Sequence, residues 1–225
     1  MTEAQEERKL QVAVVTGHHP FDVIAFHDLW SSFPQFDVYV QHMEDYVTDV
    51  ARMHEHYDVV VFYNFHQVTP GLETDWWEKD TKTALEQLGV SGQGIMILHH
   101  ALLAYKQWSW WTELVGVEDR SFGYFMNQQL NVHIENPEHP IVAGLSDFDL
   151  TDETYTMGDA QEEQGNTVLL SVEHPNSMRT LAWTRQHCNA RVFCWQSGHD
   201  GTAFSNPAFC KIMQNAIRWL AGITN

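Results

Sequence analysis

Apolar residues fall into two kinds of block along the first half of the chain. Residues 11–17 (QVAVVTG), 37–42 (DVYVQH), 58–65 (DVVVFYNF) and 94–100 (GIMILHH) are short, nearly continuous apolar runs. Such runs, rich in β-branched residues, mark strands buried on both faces. Between them the apolar positions recur at helical spacing. Residues 21–33 carry Phe21, Ile24, Ala25, Leu29 and Trp30 on one stripe, residues 44–57 repeat the pattern, and 72–88 follow the turn Thr69-Pro70-Gly71 and stop at Gly89. The fourth strand runs straight into ALLAYKQWSWWTELVG. Strands alternating with helices predict an open, mostly parallel sheet with helices on both faces and right-handed crossovers, the first strand being central. The second half changes rhythm: strands are expected at 131–136, 147–150, 167–173, 180–185 and 191–198, then a closing helix at 206–221. With no repeat, linker or low-complexity tract, residues 1–225 read as one α/β domain, residues 1–10 being a loosely ordered N-terminal extension.

Composition narrows the function. Twelve Lys and Arg stand against 30 Asp and Glu, a formal charge of −18. Nucleic acids and anionic membranes need a basic footprint, so neither is expected as a partner. No apolar run has the length of a membrane span, and the polar start MTEAQEERKL carries no export signal, so the cytoplasm is expected. Cys188, Cys194 and Cys210 form no CxxC pair and are expected as free thiols. The pattern allows a homodimer.

Fourteen histidines change the picture most. In open α/β sheets ligands bind beyond the carboxyl ends of the strands. Just there the chain places His18 and His19, then Asn64 and His66, then His99 and His100, and finally His199 and Asp200. Histidine ligates zinc and passes protons near neutral pH. His99 and His199 are therefore the candidate catalytic residues and candidate ligands of a divalent metal such as zinc, their imidazoles expected within roughly 10 Å of each other across one pocket. The run Asp152-Glu153 with Tyr155 adds a carboxylate able to ligate, act as base or orient an imidazole; by itself it reads as a solvated turn. Among nine tryptophans, only Trp108, Trp110 and Trp111 follow a site-bearing strand end closely enough to line a pocket for a sugar ring, and helix packing explains them equally well. GxGxxG, a P-loop and GxSxG are all missing, so no nucleotide cofactor is expected.

Four stretches in order resemble the ThuA-like (trehalose-utilisation) family, whose fold is flavodoxin-like, that of class I glutamine amidotransferases. They are VAVVTGHHPF, GQGIMILHHALLAYKQWSWWTELVG, HPIVAGLSDFDLTDETYTM and RVFCWQSGHDGTAFSNPAFCKIMQNAIRWLAG. The resemblance implies that His99 is the elbow histidine, Glu153 the DE glutamate and His199 the Gly-His-Asp histidine. It leaves His18, His19 and His27 as alternatives for one position. Where an amidotransferase carries its nucleophilic Cys, this chain has Ile97-Leu98-His99-His100-Ala101, so amidotransferase chemistry is not expected. The implied function is an enzyme of carbohydrate catabolism acting on a sugar or keto sugar such as a trehalose derivative. His99, His199 and Glu153 would be catalytic, and His19, His100, Tyr155, Trp111 and Asp200 would contact the sugar. The alternative is a non-catalytic sugar- or metabolite-binding domain on the same scaffold.

Overall fold

Val12 and Val14 belong to one hydrophobic core and Ala13 and Val15 to another, and all four are fully buried. This period of two places cores on both faces of a sheet, as a strand covered on each side requires. Each fully buried Val or Leu contributes about 1.5–3 kcal/mol of transfer free energy. The computed structural model describes residues 8–48, 52–71 and 78–223.

In chain order the elements are β1 (Leu10–Gly17), α1 (Val23–Ser31), β2 (Phe36–His42), α2 (Met43–Tyr46), β3 (Val59–Asn64), α3 (Glu78–Ser91), β4 (Gly94–Leu98), α4 (Ser109–Val115), β5 (Tyr124–Ile134), β6 (Phe148–Tyr155), β7 (Asn166–Ser171), β8 (Thr180–His187), β9 (Ala190–Trp195), α5 (Gly201–Phe204) and α6 (Pro207–Leu220). They form a nine-stranded sheet in the order β2-β1-β3-β4-β9-β8-β7-β5-β6. The strands β2, β1, β3, β4 and β9 are parallel, and only β8 and β5 run against the other seven. This is the expected mostly parallel α/β fold. One detail differs: β1 lies one strand from the edge, and β3 occupies the middle of the parallel set.

The helices depart further from the pattern. Among the described residues, the stripe at 44–57 yields the single turn α2 and a 3₁₀ turn at Met53–Glu55, with Met43, Tyr46, Val47 and Met53 buried. Gly89 does not end α3. It lies inside the helix, where a Cβ would come within 3.0 Å of the His187 ring, so its lack of a side chain permits close packing of helix on strand. The helix ends instead before Gly92, whose φ of +79° suits only glycine. Residues 1–7, 49–51 and 72–77 of the expected extension and helices lie outside the described residues.

The β5–β6 ribbon positions the site. Only His133 and Ile134 of β5 pair with β7, while the rest of β5 pairs with β6. Although β6 is the last strand of the sheet, the Gln196 side chain just past β9 donates to Glu153 O at 2.9 Å. The ribbon thus folds back across the carboxyl edge. No helix among the described residues is long and apolar enough to cross a membrane.

Candidate active site

The strand β4 does not run into a long helix. It stops at Leu98, and His99 turns the chain sharply at φ +55° into a 3₁₀ turn, His99–Leu103, well before α4 begins. A non-glycine residue held there costs on the order of 1–3 kcal/mol and persists only where its surroundings over-determine it. Two interactions do so. His99 Nδ1–H donates to Gln196 O at 2.8 Å, and the ring stacks on Tyr155 with centroids 5.1 Å apart. Because a carbonyl only accepts, Nδ1 carries a proton, and Nε2 is the nitrogen turned to what lies opposite.

Three groups lie opposite. His199 Nδ1 is 3.2 Å from His99 Nε2, Glu153 Oε2 is 3.1 Å away, and the Tyr155 hydroxyl is 2.9 Å away. His199 Nδ1 also lies 3.0 Å from Glu153 Oε2, and Tyr155 donates to that oxygen at 3.1 Å. The two imidazoles therefore meet well within the roughly 10 Å expected. Glu153 and Tyr155 share one face of β6 through the strand's period of two, and both are buried. The solvated turn suggested by Asp152-Glu153 is in fact a buried strand. Asp152, on the other face, accepts from the backbone N–H of Gly198 at 2.6 Å and of His199 at 3.1 Å, fixing the loop that carries His199.

The electrostatics follow from this packing. Burial alone would raise the Glu153 carboxyl, but the His199 and His99 contacts overcome it and hold it well below the usual carboxylate range. The contact with Glu153 raises His199 against its own burial. Burial, reinforced by Glu153, keeps the Tyr155 phenol protonated. His99 Nε2 and a carboxylate oxygen of Glu153 face each other at 3.1 Å, a contact that a proton on the imidazole or a cation between the two makes favourable. His99, Glu153 and His199 can each offer one ligand atom to a single metal ion. Donors about 2.0–2.1 Å from one tetrahedral cation lie about 3.3 Å apart, close to the spacings seen here.

Other sequence-predicted residues divide. His19 and His100 stack with centroids 4.2 Å apart beside the cluster. Burial lowers both, so the pair is uncharged near neutrality. Asp200 caps α5, accepting from Thr202 N at 2.8 Å. Trp111 is fully buried, its indole N–H on Ala101 O at 3.1 Å, and packs in the core; it lines no site. Of the alternatives after β1, only His19 reaches the cluster's neighbourhood. His18 stacks on His66 at 4.0 Å, and exposed His27 bonds Ser31 on α1. The sequence reading missed Gln196 and Tyr63, whose hydroxyl donates to Gly198 O at 2.8 Å; each sits at a strand end, the only signal available.

The sequence profile of the ThuA family, described as trehalose utilisation, matches residues 11–220. The chain belongs to the ThuA family. Among solved structures, a ThuA-like protein from Parabacteroides merdae ATCC 43184 is 17% identical with a TM-score of 0.73, covering 95% of this chain and 90% of that one. A second ThuA-like protein, from Bacteroides uniformis ATCC 8492, is 19% identical with a TM-score of 0.72 over 98% and 95% of the two chains. A GMP synthase component from Thermoplasma acidophilum shares the fold at 10% identity and a TM-score of 0.55, covering 96% of each chain. No curated protein matches the chain. In this ThuA member His99 turns the chain at the end of β4 with a positive φ, and all three cysteines are free.

Proposed function

We propose that this ThuA protein is a carbohydrate-active enzyme acting on a sugar or keto sugar such as a trehalose derivative, with His99, Glu153 and His199 as its working centre. The observation that carries the reading is the meeting of two imidazoles, a carboxylate and a phenol within 3.2 Å at the carboxyl edge of the sheet. The family description supports the substrate class.

His99 through Nε2, His199 through Nδ1 and Glu153 through Oε2 would hold a divalent cation such as zinc. Bound there, the cation supplies a Lewis acid that polarises a substrate oxygen. The chain's residues do the rest. Gln196 O holds the His99 ring in one tautomer, and Asp152 holds the loop of His199. The Tyr155 hydroxyl, kept protonated, offers a hydrogen bond to an oxygen entering the cluster. Without a cation, His199 and Glu153 form an acid–base couple, the imidazolium giving a proton to a sugar oxygen and the carboxylate receiving one. His19, His100 and Asp200 would contact the substrate.

A second reading, a sugar-binding domain without turnover, draws support from the depth of the cluster: His99 is 0% exposed and Glu153 7%. The test is metal content by mass spectrometry together with incubation with trehalose and a keto derivative of it. Turnover in the wild type and none in Glu153→Gln supports the enzyme. Sugar binding without turnover, with or without metal, overturns it in favour of the binding domain.

A further inference from the structure

Among the described residues, the exposed aromatic ring beside the cluster is a phenylalanine, not a tryptophan. Phe122 lies just before β5 and is 39% exposed. Its ring meets Phe65 at 6.2 Å and Tyr155 at 5.8 Å. Phe65 in turn meets His19 at 5.5 Å and His100 at 6.0 Å, while Tyr155 stacks on His99. Phe122 is thus an uncovered ring bridging the two halves of the site, the acid–base cluster and the paired imidazoles. Close by, β5 is bulged between Phe125 and Gln128, with Asn127 at φ +55°. Such bulges re-aim strands beside functional sites.

The polar side of this rim is unsatisfied. His100 Nε2–H donates to Tyr63 O at 3.1 Å, which leaves Nδ1 as a lone-pair acceptor. That Nδ1 is buried without a partner, as is His19 Nδ1 on the ring stacked against it. Buried polar atoms call for partners, and the His100 Nδ1 lone pair calls for a donor. An apolar plate beside unpartnered ring nitrogens complements a molecule with one C–H face and an edge of hydroxyl groups, which both donate and accept.

We infer that Phe122, backed by Phe65, is the stacking plate for the C–H face of a pyranose ring whose hydroxyl edge is turned to His100 and His19. This rests on the carbohydrate reading above and adds its substrate class: a pyranoside with equatorial hydroxyls, since an axial hydroxyl on the stacked face would lift the ring from Phe122. Saturation-transfer NMR on the full chain tests it with trehalose as probe. In the wild type, saturation should pass mainly to the axial C–H protons on one face of a glucosyl ring. Phe122→Ala should reduce that transfer at least about fivefold, and Phe122→Trp should retain it. Melting curves report folding, and Phe122→Leu, closer in volume, replaces Phe122→Ala if the latter does not fold. Undiminished transfer in a folded Phe122→Ala or Phe122→Leu protein overturns the inference, as does no transfer to trehalose in the wild type. Phe122-dependent transfer without turnover leaves the plate standing and removes only the enzyme. Turnover with Phe122-independent transfer removes only the plate.

Discussion

Two groups of histidines share the carboxyl edge of the sheet, and among the described residues only one meets a buried carboxylate. His99 and His199, after β4 and β9, meet Glu153 and Tyr155 within 3.2 Å. His18, His42 and His66, at the ends of β1, β2 and β3, pack ring against ring with centroids 4.0–6.4 Å apart. Gly17 makes room for them: a Cβ there would sit 2.6 Å from His42 Nε2. Near this second group, Glu44 approaches only His42, at 3.9 Å and half-exposed. The residue type and the sheet edge are the same; the difference is the β5–β6 ribbon, which delivers a buried carboxylate and a phenol to one end alone. A histidine count marks an edge, and a carboxylate crossing from elsewhere marks a site.

The largest effect expected from this contrast is on metal affinity. Glu153→Gln or His199→Ala should weaken zinc binding at least about a hundredfold by titration calorimetry, because each removes one of three converging donors. His66→Ala and His18→Ala should leave it within about twofold. An equal loss from His66→Ala would erase the distinction between the two groups. Tyr155→Phe sharpens it: turnover should fall about tenfold or more while zinc affinity stays nearly constant, since the phenol offers a proton and is not among the three donors.

The two groups should also differ in acid. Burial, then His18 and His42, lowers His66 from 6.5 to about 3. Among the described residues, the Asn64 amide and the Tyr105 ring also contact it. Folded His66 stays neutral where unfolded His66 takes a proton, so its contribution is fully present above about pH 6.5 and is lost progressively as pH falls toward about 3. His199 has the opposite sign, because its folded pKa is raised. Melting curves from pH 7 to pH 4.5 should therefore fall less steeply in His66→Asn than in the wild type, by roughly a few degrees. Parallel curves would show that His66 carries no such penalty.

Much of the fold was legible because buried parallel strands write themselves as apolar runs: β1, β3 and β4 lie where QVAVVTG, DVVVFYNF and GIMILHH placed them. The turn chemistry was less legible. The helical spacing after His100 hid a 3₁₀ turn and an extended stretch, held by buried Arg120, which donates to the carbonyls of Leu102, Ala104, Tyr105 and Lys106. No local pattern reveals an arginine acting from a distance. The approach of His99 to His199 followed from topology alone. The arrival of Glu153 did not, because nothing local in DFDLTDETY says that its strand folds back over the sheet; only the resemblance to ThuA proteins pointed there. Phe122 was missed because a lone Phe beside glycine carries no signal, whereas the tryptophans that drew attention were core.

The smallest expected effect settles the three-way choice after β1. His27 is exposed on α1, and its hydrogen-bond partner is Ser31, one turn along the same helix. A surface contact of this kind contributes little, and alanine is the better helix former, so the two terms nearly cancel. His27→Ala should leave the melting temperature within about 1–2 °C and change neither sugar binding nor turnover. His19 stands differently, its ring stacked on His100 and edge-on to Phe65. His19→Ala removes one face of the imidazole pair, and it should weaken trehalose binding several-fold, about 1 kcal/mol, with little loss of thermal stability because the residue sits in a partly exposed loop. If His27→Ala weakened binding and His19→Ala did not, the substrate would lie along α1, away from both histidine groups, and the assignment of the site to the β4–β9 end would fail with it.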